Sequence, residues 1–197
     1  MPLTRHKRIL LILALVFGGV ALDQATKYIA IARFTEEGPE GHLRAKPPIA
    51  FPNDWYPHDL FRFQFATNTG AFLSLGSGLS ESMRFWVLTG LNAVILFAVA
   101  VFLLLRRTIA LPLALALGLI LSGGVGNLID RIFRDGEVID FMNVGIGFGS
   151  FSLRSGIFNV ADLAIVAGLI LLVAAEMFNA SREAKAEEGA AKSDQKQ

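Results

Sequence analysis

The sequence contains no cysteine. That absence excludes disulfides bracing any part outside a membrane, thiol catalysis, cysteine-based zinc sites and lipidation of this chain on cysteine. Charge of one sign is missing as well: 18 Lys and Arg stand against 17 Asp and Glu, for a formal net charge of +1. Nothing in that balance attracts nucleic acid or draws the molecule onto anionic lipid, so no nucleic-acid partner is expected. The three histidines, His6, His42 and His58, have no HExxH setting, and neither a Gly-x-Ser-x-Gly elbow nor a complete phosphate-binding glycine motif occurs. No metal and no cofactor is expected.

What is abundant is apolar surface. Of 197 residues 53% are hydrophobic, more than a soluble domain of this size needs for one core, which points to an integral membrane protein. Four apolar segments stand out, Ile9 to Ala32, Phe85 to Leu105, Ile109 to Ile129 and Phe158 to Phe178. Each is near the ~20 residues a spanning helix needs, and uninterrupted runs of this length satisfy their backbone in lipid only as helices. Arg5, Lys7 and Arg8 precede the first span, Arg106 and Arg107 fill the turn between the second and third, and Arg182 and Lys185 follow the fourth. The positive-inside rule puts these regions and both termini in the cytoplasm, leaving residues 33–84 and 130–157 outside. A rival reading of the first span is a cleavable secretory signal, because TRHKR is followed by ILLILALVFGG and a small-residue GVA site. Apolar character resumes past Ala21, and four spans need this helix to bring the carboxy terminus inside, so the span is preferred.

The outer stretches carry structure of their own. LFRFQFATN alternates Phe61, Phe63 and Phe65 against Arg62 and Gln64, the pattern of a half-buried strand, and NVGIGFGSFSLRSGIF suggests a hairpin whose glycines mark strand bends. Leu79 to Phe85 is expected to begin a short interfacial helix with Phe85 and Trp86 at headgroup depth. The proline-bearing loop Thr35 to His58 shows the least pattern. The tail 181–197, rich in Ala, Lys, Glu and Gln, is expected to be disordered in the cytoplasm. The expected fold class is an all-α membrane protein, four transmembrane helices with a small extracytoplasmic β-sheet and a short interfacial helix, as one domain over residues 1–180.

Charges within a span cost at least about 2.5 kcal/mol each, so those that persist usually face a bundle interior. Asp23 and Lys27 in LDQATKY lie on one helix face, either as a structural ion pair or as groups addressing a substrate or lipid headgroup. The third span ends SGGVGNLIDRI, in which glycines permit close helix approach and Asn127, Asp130 and Arg131 form a polar cluster. Taken alone, that cluster reads as helix termination with a local Asp–Arg pair. EVIDF then places Asp140 just beyond it, and FNVAD places Asn159 and Asp162 at the head of the fourth span. Singly, Asp140 is an ordinary loop acid and Asp162 a first-turn acid favoured by the helix dipole. Together they approach one boundary from two segments, and two close carboxylates in a low dielectric share a proton. One then serves as general base on a water while the other protonates the leaving amine, which is aspartic-protease chemistry. A small proton-conducting transporter using Asp23, Lys27, Asp130 and Asp162 as a relay is the alternative. A relay should cross the bilayer, whereas these groups gather at the outer ends of the spans.

In order along the chain, DQATK at Asp23 to Lys27, NTGAF at Asn68 to Phe72, GGVGNLIDRI at Gly123 to Ile132, VIDF at Val138 to Phe141 and FNVAD at Phe158 to Asp162 resemble the motifs of the bacterial lipoprotein signal peptidases, or signal peptidase II. The resemblance covers nearly all of the chain except the tail. It implies an inner-membrane aspartic endopeptidase acting at the periplasmic side on diacylated prolipoproteins, within membrane lipid, and cutting before the lipidated cysteine. It also implies Asp140 and Asp162 as the catalytic pair. Asn68 with Gly70 of the NTG turn, Asn127, Asp130, Arg131 and Asn159 would support the pair or hold substrate and lipid, with Asp23 and Lys27 backing the site, and globomycin-type antibiotics would block it. Two departures stand out: Phe72 occupies a position where the family usually has alanine, and the first outer loop is longer than usual.

Overall fold

Four helices carry the apolar runs: α1 (Arg5–Phe34), α2 (Glu81–Leu105), α3 (Leu111–Phe133) and α4 (Val160–Asp194). They belong to a computed structural model that describes residues 5–38, 43–51, 60–70, 80–148 and 151–194. Each helix is long and apolar enough to cross a membrane, so the chain is a multi-pass membrane protein. Ser80 caps α2 by accepting a hydrogen bond from the Met83 amide at 3.3 Å, and Pro112 sits in the first turn of α3, where its missing N–H is not needed. The surface helix expected from Leu79 is, from Glu81 onward, the opening turn of α2, ahead of the apolar span that starts at Phe85; Leu79 itself lies outside the described residues.

The tail departs from expectation. α4 continues beyond its span to Asp194, so residues 181–194 are helical where composition suggests disorder. Ala, Lys and Glu are strong helix formers, and a tail that continues an existing helix needs no nucleus of its own.

α3 lies at the centre of the bundle, with half of its apolar window buried against at most 17% for the other three. Its glycines explain how three neighbours fit around one helix. A Cβ at Gly123 would strike the Ala161 carbonyl of α4, one at Gly124 would strike Leu96 of α2, and one at Gly126 would lie 2.7 Å from Asp23 Oδ2 of α1. The apolar side chains point the other way. Phe17 on α1, Phe97 on α2 and Ile170 on α4 are 70%, 71% and 65% exposed, while Asp23, Lys27, Asn127, Asp130 and Asn159 are buried. This is the inverse of a soluble protein and suits a surface that lipid will cover.

Outside the bundle lie two antiparallel sheets. β1 (Thr35–Glu37) pairs with β2 (Leu43–Ala45), and a second sheet has the order β3 (Ile49–Phe51), β4 (Phe61–Asn68), β5 (Val138–Phe148), β6 (Phe151–Arg154). The first three strands fall within the stretch whose sequence shows the least pattern. At three residues each they are too short for an alternation to register, and their stability comes from pairing. β4 coincides with the alternating segment, and paired β5 and β6 fall in the segment read as a hairpin, with β5 beginning earlier, at Val138. Phe34 at the end of α1 stacks on Phe63 of β4 at 5.4 Å, fixing the sheet to the bundle.

An irregularity in the ladder decides which β4 side chains can reach Asp140. The β4–β5 register pairs Phe63 with Met142 but Ala66 with Asp140, so two residues of β4 oppose one of β5. Such a bulge shifts the face on which later residues appear. It places Ala66 and Asn68 on the same face as Asp140, whereas an unbroken ladder would have turned Asn68 to the other side.

Gly123→Leu is expected to lower stability by about 2 kcal/mol or more, because the obstructing atom is backbone and α4 must move. Gly90→Ala, where nothing stands within 4 Å, should leave the unfolding midpoint in detergent unchanged or raised.

Candidate active site

The site is built on a buried ammonium. Lys27 Nζ of α1 lies 2.8 Å from Asp23 Oδ2, 2.8 Å from Asp130 Oδ2 and 3.0 Å from Asn127 Oδ1, so its three hydrogens meet three acceptors. The two acids are equally well partnered. Asp130 Oδ2 also accepts the Ile139 amide at 3.1 Å, its Oδ1 accepts Gln24 Nε2 at 3.0 Å and faces Arg134 Nε at 3.5 Å, and Asp23 Oδ1 accepts the Ala161 amide at 2.9 Å. Buried ions are tolerated when paired and fully hydrogen-bonded, and here the pairing joins α1, α3, the start of β5 and the start of α4.

Asp140 is brought to this centre by the end of α3. Asp135 takes a left-handed conformation at φ 52°, and the Gly136 amide donates to the Arg131 carbonyl at 2.9 Å, a Schellman reversal that turns the chain straight back over Asp130. The Ile139 amide docks on Asp130, and the next side chain, Asp140, is 2% exposed. Its Oδ2 accepts Asn68 Nδ2 at 3.1 Å across the bulged ladder, and its Oδ1 accepts Asn159 Nδ2 at 2.6 Å.

Asp162 is held by the start of α4. Asn159 Oδ1 accepts the Asp162 amide at 3.0 Å and Asp162 Oδ2 accepts the Asn159 amide at 3.1 Å, a reciprocal capping box that leaves Oδ1 to accept Asn127 Nδ2 at 2.8 Å. Asn159 Nδ2 also reaches Asn127 Oδ1 at 3.1 Å. The two asparagines thus link Lys27, Asp162 and Asp140 in one network.

Both acids line a cleft of about 800 Å³ that also includes Asn68, Thr69, Phe158, Ile165 and Val166. Burial, and then the neighbouring charge of Asp162, push the Asp140 carboxyl up to about 6, against the opposing hydrogen bonds from Asn68 and Asn159. A carboxyl so placed holds a proton at a pH where an ordinary aspartate does not. Among the described residues no three His, Asp or Glu side chains stand together as metal ligands.

The residues singled out in the sequence fall into three positions. Asp140, Asp162 and Asn68 line the cleft, Asn127 and Asn159 are buried and hydrogen-bonded to the two acids, and Asp23, Lys27 and Asp130 form the ion cluster joined to them through Lys27 and Asn127. Gly70, at φ 90°, donates its amide to Asn68 Oδ1 at 2.9 Å and so orients that side chain. Arg131 makes no ion pair with Asp130, yet it stays within electrostatic reach of Asp162 and Asp140. Asp130 turns to Lys27, and Arg131 lines an adjacent cleft beside Thr89. Phe72, His42 and His58 lie outside the described residues. Gln24 was not singled out, although its amide nitrogen reaches Asp130, Asp23 and the Gly126 carbonyl within 3.2 Å. Its place three residues before Lys27 was the available signal.

Lys27→Met, which leaves two carboxylates buried without their cation, is expected to cost about 3–5 kcal/mol of stability, measured by unfolding in detergent. Adding Asp23→Asn to that variant should recover part of the loss. Gly70→Ala should also destabilise, since its φ suits glycine and a Cβ would meet Leu88.

Residues 11–178 match the family described as Signal peptidase (SPase) II. The lipoprotein signal peptidase of Streptomyces griseus is 33% identical over 172 residues, covering 85% of this chain and 73% of the relative. That of Sphingopyxis alaskensis is 36% identical over 163 residues, covering 81% and 82%. A solved bacterial membrane enzyme, 30% identical, superposes with a TM-score of 0.61 over 87% of this chain and 90% of its own. With the match spanning all four membrane helices and both acids, the chain belongs to the signal peptidase II family.

Proposed function

We propose that this protein is a membrane aspartic endopeptidase that removes the signal peptide from diacylglyceryl-modified prolipoproteins, cutting before the lipidated cysteine, with Asp140 and Asp162 as its catalytic pair. The observation that carries this reading is the joint placement of the two acids: they come from different elements, line one cleft, and are joined through Asn127 and Asn159. The name shared by the curated relatives, lipoprotein signal peptidase, supports the substrate class. Nothing in those relatives favours a proton-relay transporter.

The pair holds one proton, which burial and the charge of Asp162 favour on Asp140. The ionised oxygen takes a proton from a water whose oxygen attacks the scissile carbonyl carbon, while the protonated carboxyl hydrogen-bonds the carbonyl oxygen. Collapse breaks the C–N bond, and the leaving nitrogen takes a proton from the pair. The products are a signal peptide carboxylate and a free amine on the lipidated cysteine. Asn68, Asn127 and Asn159 hold the carboxylates in register, and Lys27, Asp23 and Asp130 hold the asparagines and the strand. Phe158, Ile165 and Val166 give the cleft an apolar wall suited to a signal sequence delivered from lipid. In this reading the cleft opens at the periplasmic side of the inner membrane, both termini are cytoplasmic, and globomycin-type compounds compete for the cleft.

Asp140→Asn and Asp162→Asn should each abolish cleavage of a diacylated prolipoprotein by the purified protein in detergent, and cleavage retained by either variant would refute the pair. In Asn68→Ala a hydrogen bond that favours ionised Asp140 is lost, so its proton is held to higher pH. The alkaline limb of kcat/KM should therefore move upward from near pH 6. A downward shift would contradict the assignment of the shared proton.

A further inference from the structure

Beside the acid cleft lies a second one, of about 650 Å³, whose chemistry the proposed reaction leaves unused. Thr69 belongs to the walls of both clefts. On one side of it Asn68 holds Asp140, and on the other the Gly70 backbone packs towards Leu88 and Arg131. The second cleft is polar where the first is apolar, with Thr89, Arg131, Arg134 and Glu137 set against Phe85. It also holds two of the few buried polar atoms that lack a hydrogen-bond partner among the described residues, Thr89 Oγ1 and Arg131 Nε. Thr89 is 7% exposed, so these are groups kept dry and unpaired inside a wall. A buried donor left unpaired is unfavourable by roughly 1–3 kcal/mol, which makes such atoms candidates for pairing with a ligand.

The substrate supplies a matching asymmetry. On the amino side of its scissile bond is an apolar signal sequence, and on the carboxyl side a polar chain bound for water. We propose that the polar cleft receives the extended peptide segment that follows the lipidated cysteine, with Arg131 donating to a backbone carbonyl and the Thr89 hydroxyl meeting a second backbone group. This deepens the endopeptidase reading and rests on it. The chemistry favours peptide over an acyl chain, because guanidinium, hydroxyl and carboxylate groups along one wall suit the alternating donors and acceptors of an extended backbone. An acyl chain would leave Thr89 Oγ1 and Arg131 Nε unpaired.

The test compares two synthetic S-diacylglyceryl peptides in detergent micelles, one ending as an amide at the lipidated cysteine and one continuing through a short polar segment. For the native protein the KM of the short peptide should exceed that of the long one by about tenfold, the worth of one or two hydrogen bonds. In Thr89→Val, which keeps the shape and removes the hydroxyl, that ratio should fall towards one, and Thr89→Ser should restore it. A native ratio of one, or the native ratio persisting in Thr89→Val, would overturn the proposal while leaving the endopeptidase intact. Failure of the native protein to cut either peptide would sink both readings.

Discussion

One ammonium group, Lys27 Nζ, sets the geometry of the outer half of this protein. A charge buried this deeply is tolerable only when every hydrogen has an acceptor and every carboxylate oxygen has a donor. Meeting that condition recruits Asp23 and Gln24 from its own helix, Asn127 and Asp130 from α3, and, through the carboxylates, the Ile139 amide of β5 and the Ala161 amide of α4. The helices are brought near one another by small residues on α3, but glycine contacts alone leave neighbours free to slide. The ion cluster removes that freedom at the depth where β5 and α4 begin, and those are the two elements that carry Asp140 and Asp162.

Asp162 shows how structural and chemical readings of a residue can both hold. A first-turn acid on a helix invites the interpretation of a cap, and Asp162 is one, with Asn159 reciprocating. The cap occupies one carboxylate oxygen and directs the other at Asn127. Capping therefore orients the group within the cleft. The same double use appears at Asp130, whose oxygens neutralise Lys27 and also anchor the strand that delivers Asp140.

Much of the plan was legible in the sequence, because the features that reveal it are long or chemically unusual. Four apolar runs announce four spans, and charged residues at their ends stand out because lipid penalises them. The alternation of Phe61 and Phe63 announces β4. What stayed hidden depends on partners distant in the chain. β1, β2 and β3 are too short for a period and exist by pairing, the helical tail follows from the helix before it, and the divergence of Asp130 from Arg131 depends on which neighbour packs against each side of α3. Thr89 gave no sign at all, since a threonine in a greasy helix is ordinary until its hydroxyl is found unpaired.

The bulge in β4 sets sheet regularity against the geometry of the site. Between Phe63 and Ala66 the strand carries one residue more than its partner, and only for that reason does Asn68 share a face with Asp140. Removing one residue there would give a more regular ladder. The Asn68 amide would nonetheless face away from Asp140. The count of residues in that short segment acts as a reading frame for side-chain direction, so length within β4 is more tightly constrained than the identity of most of its residues.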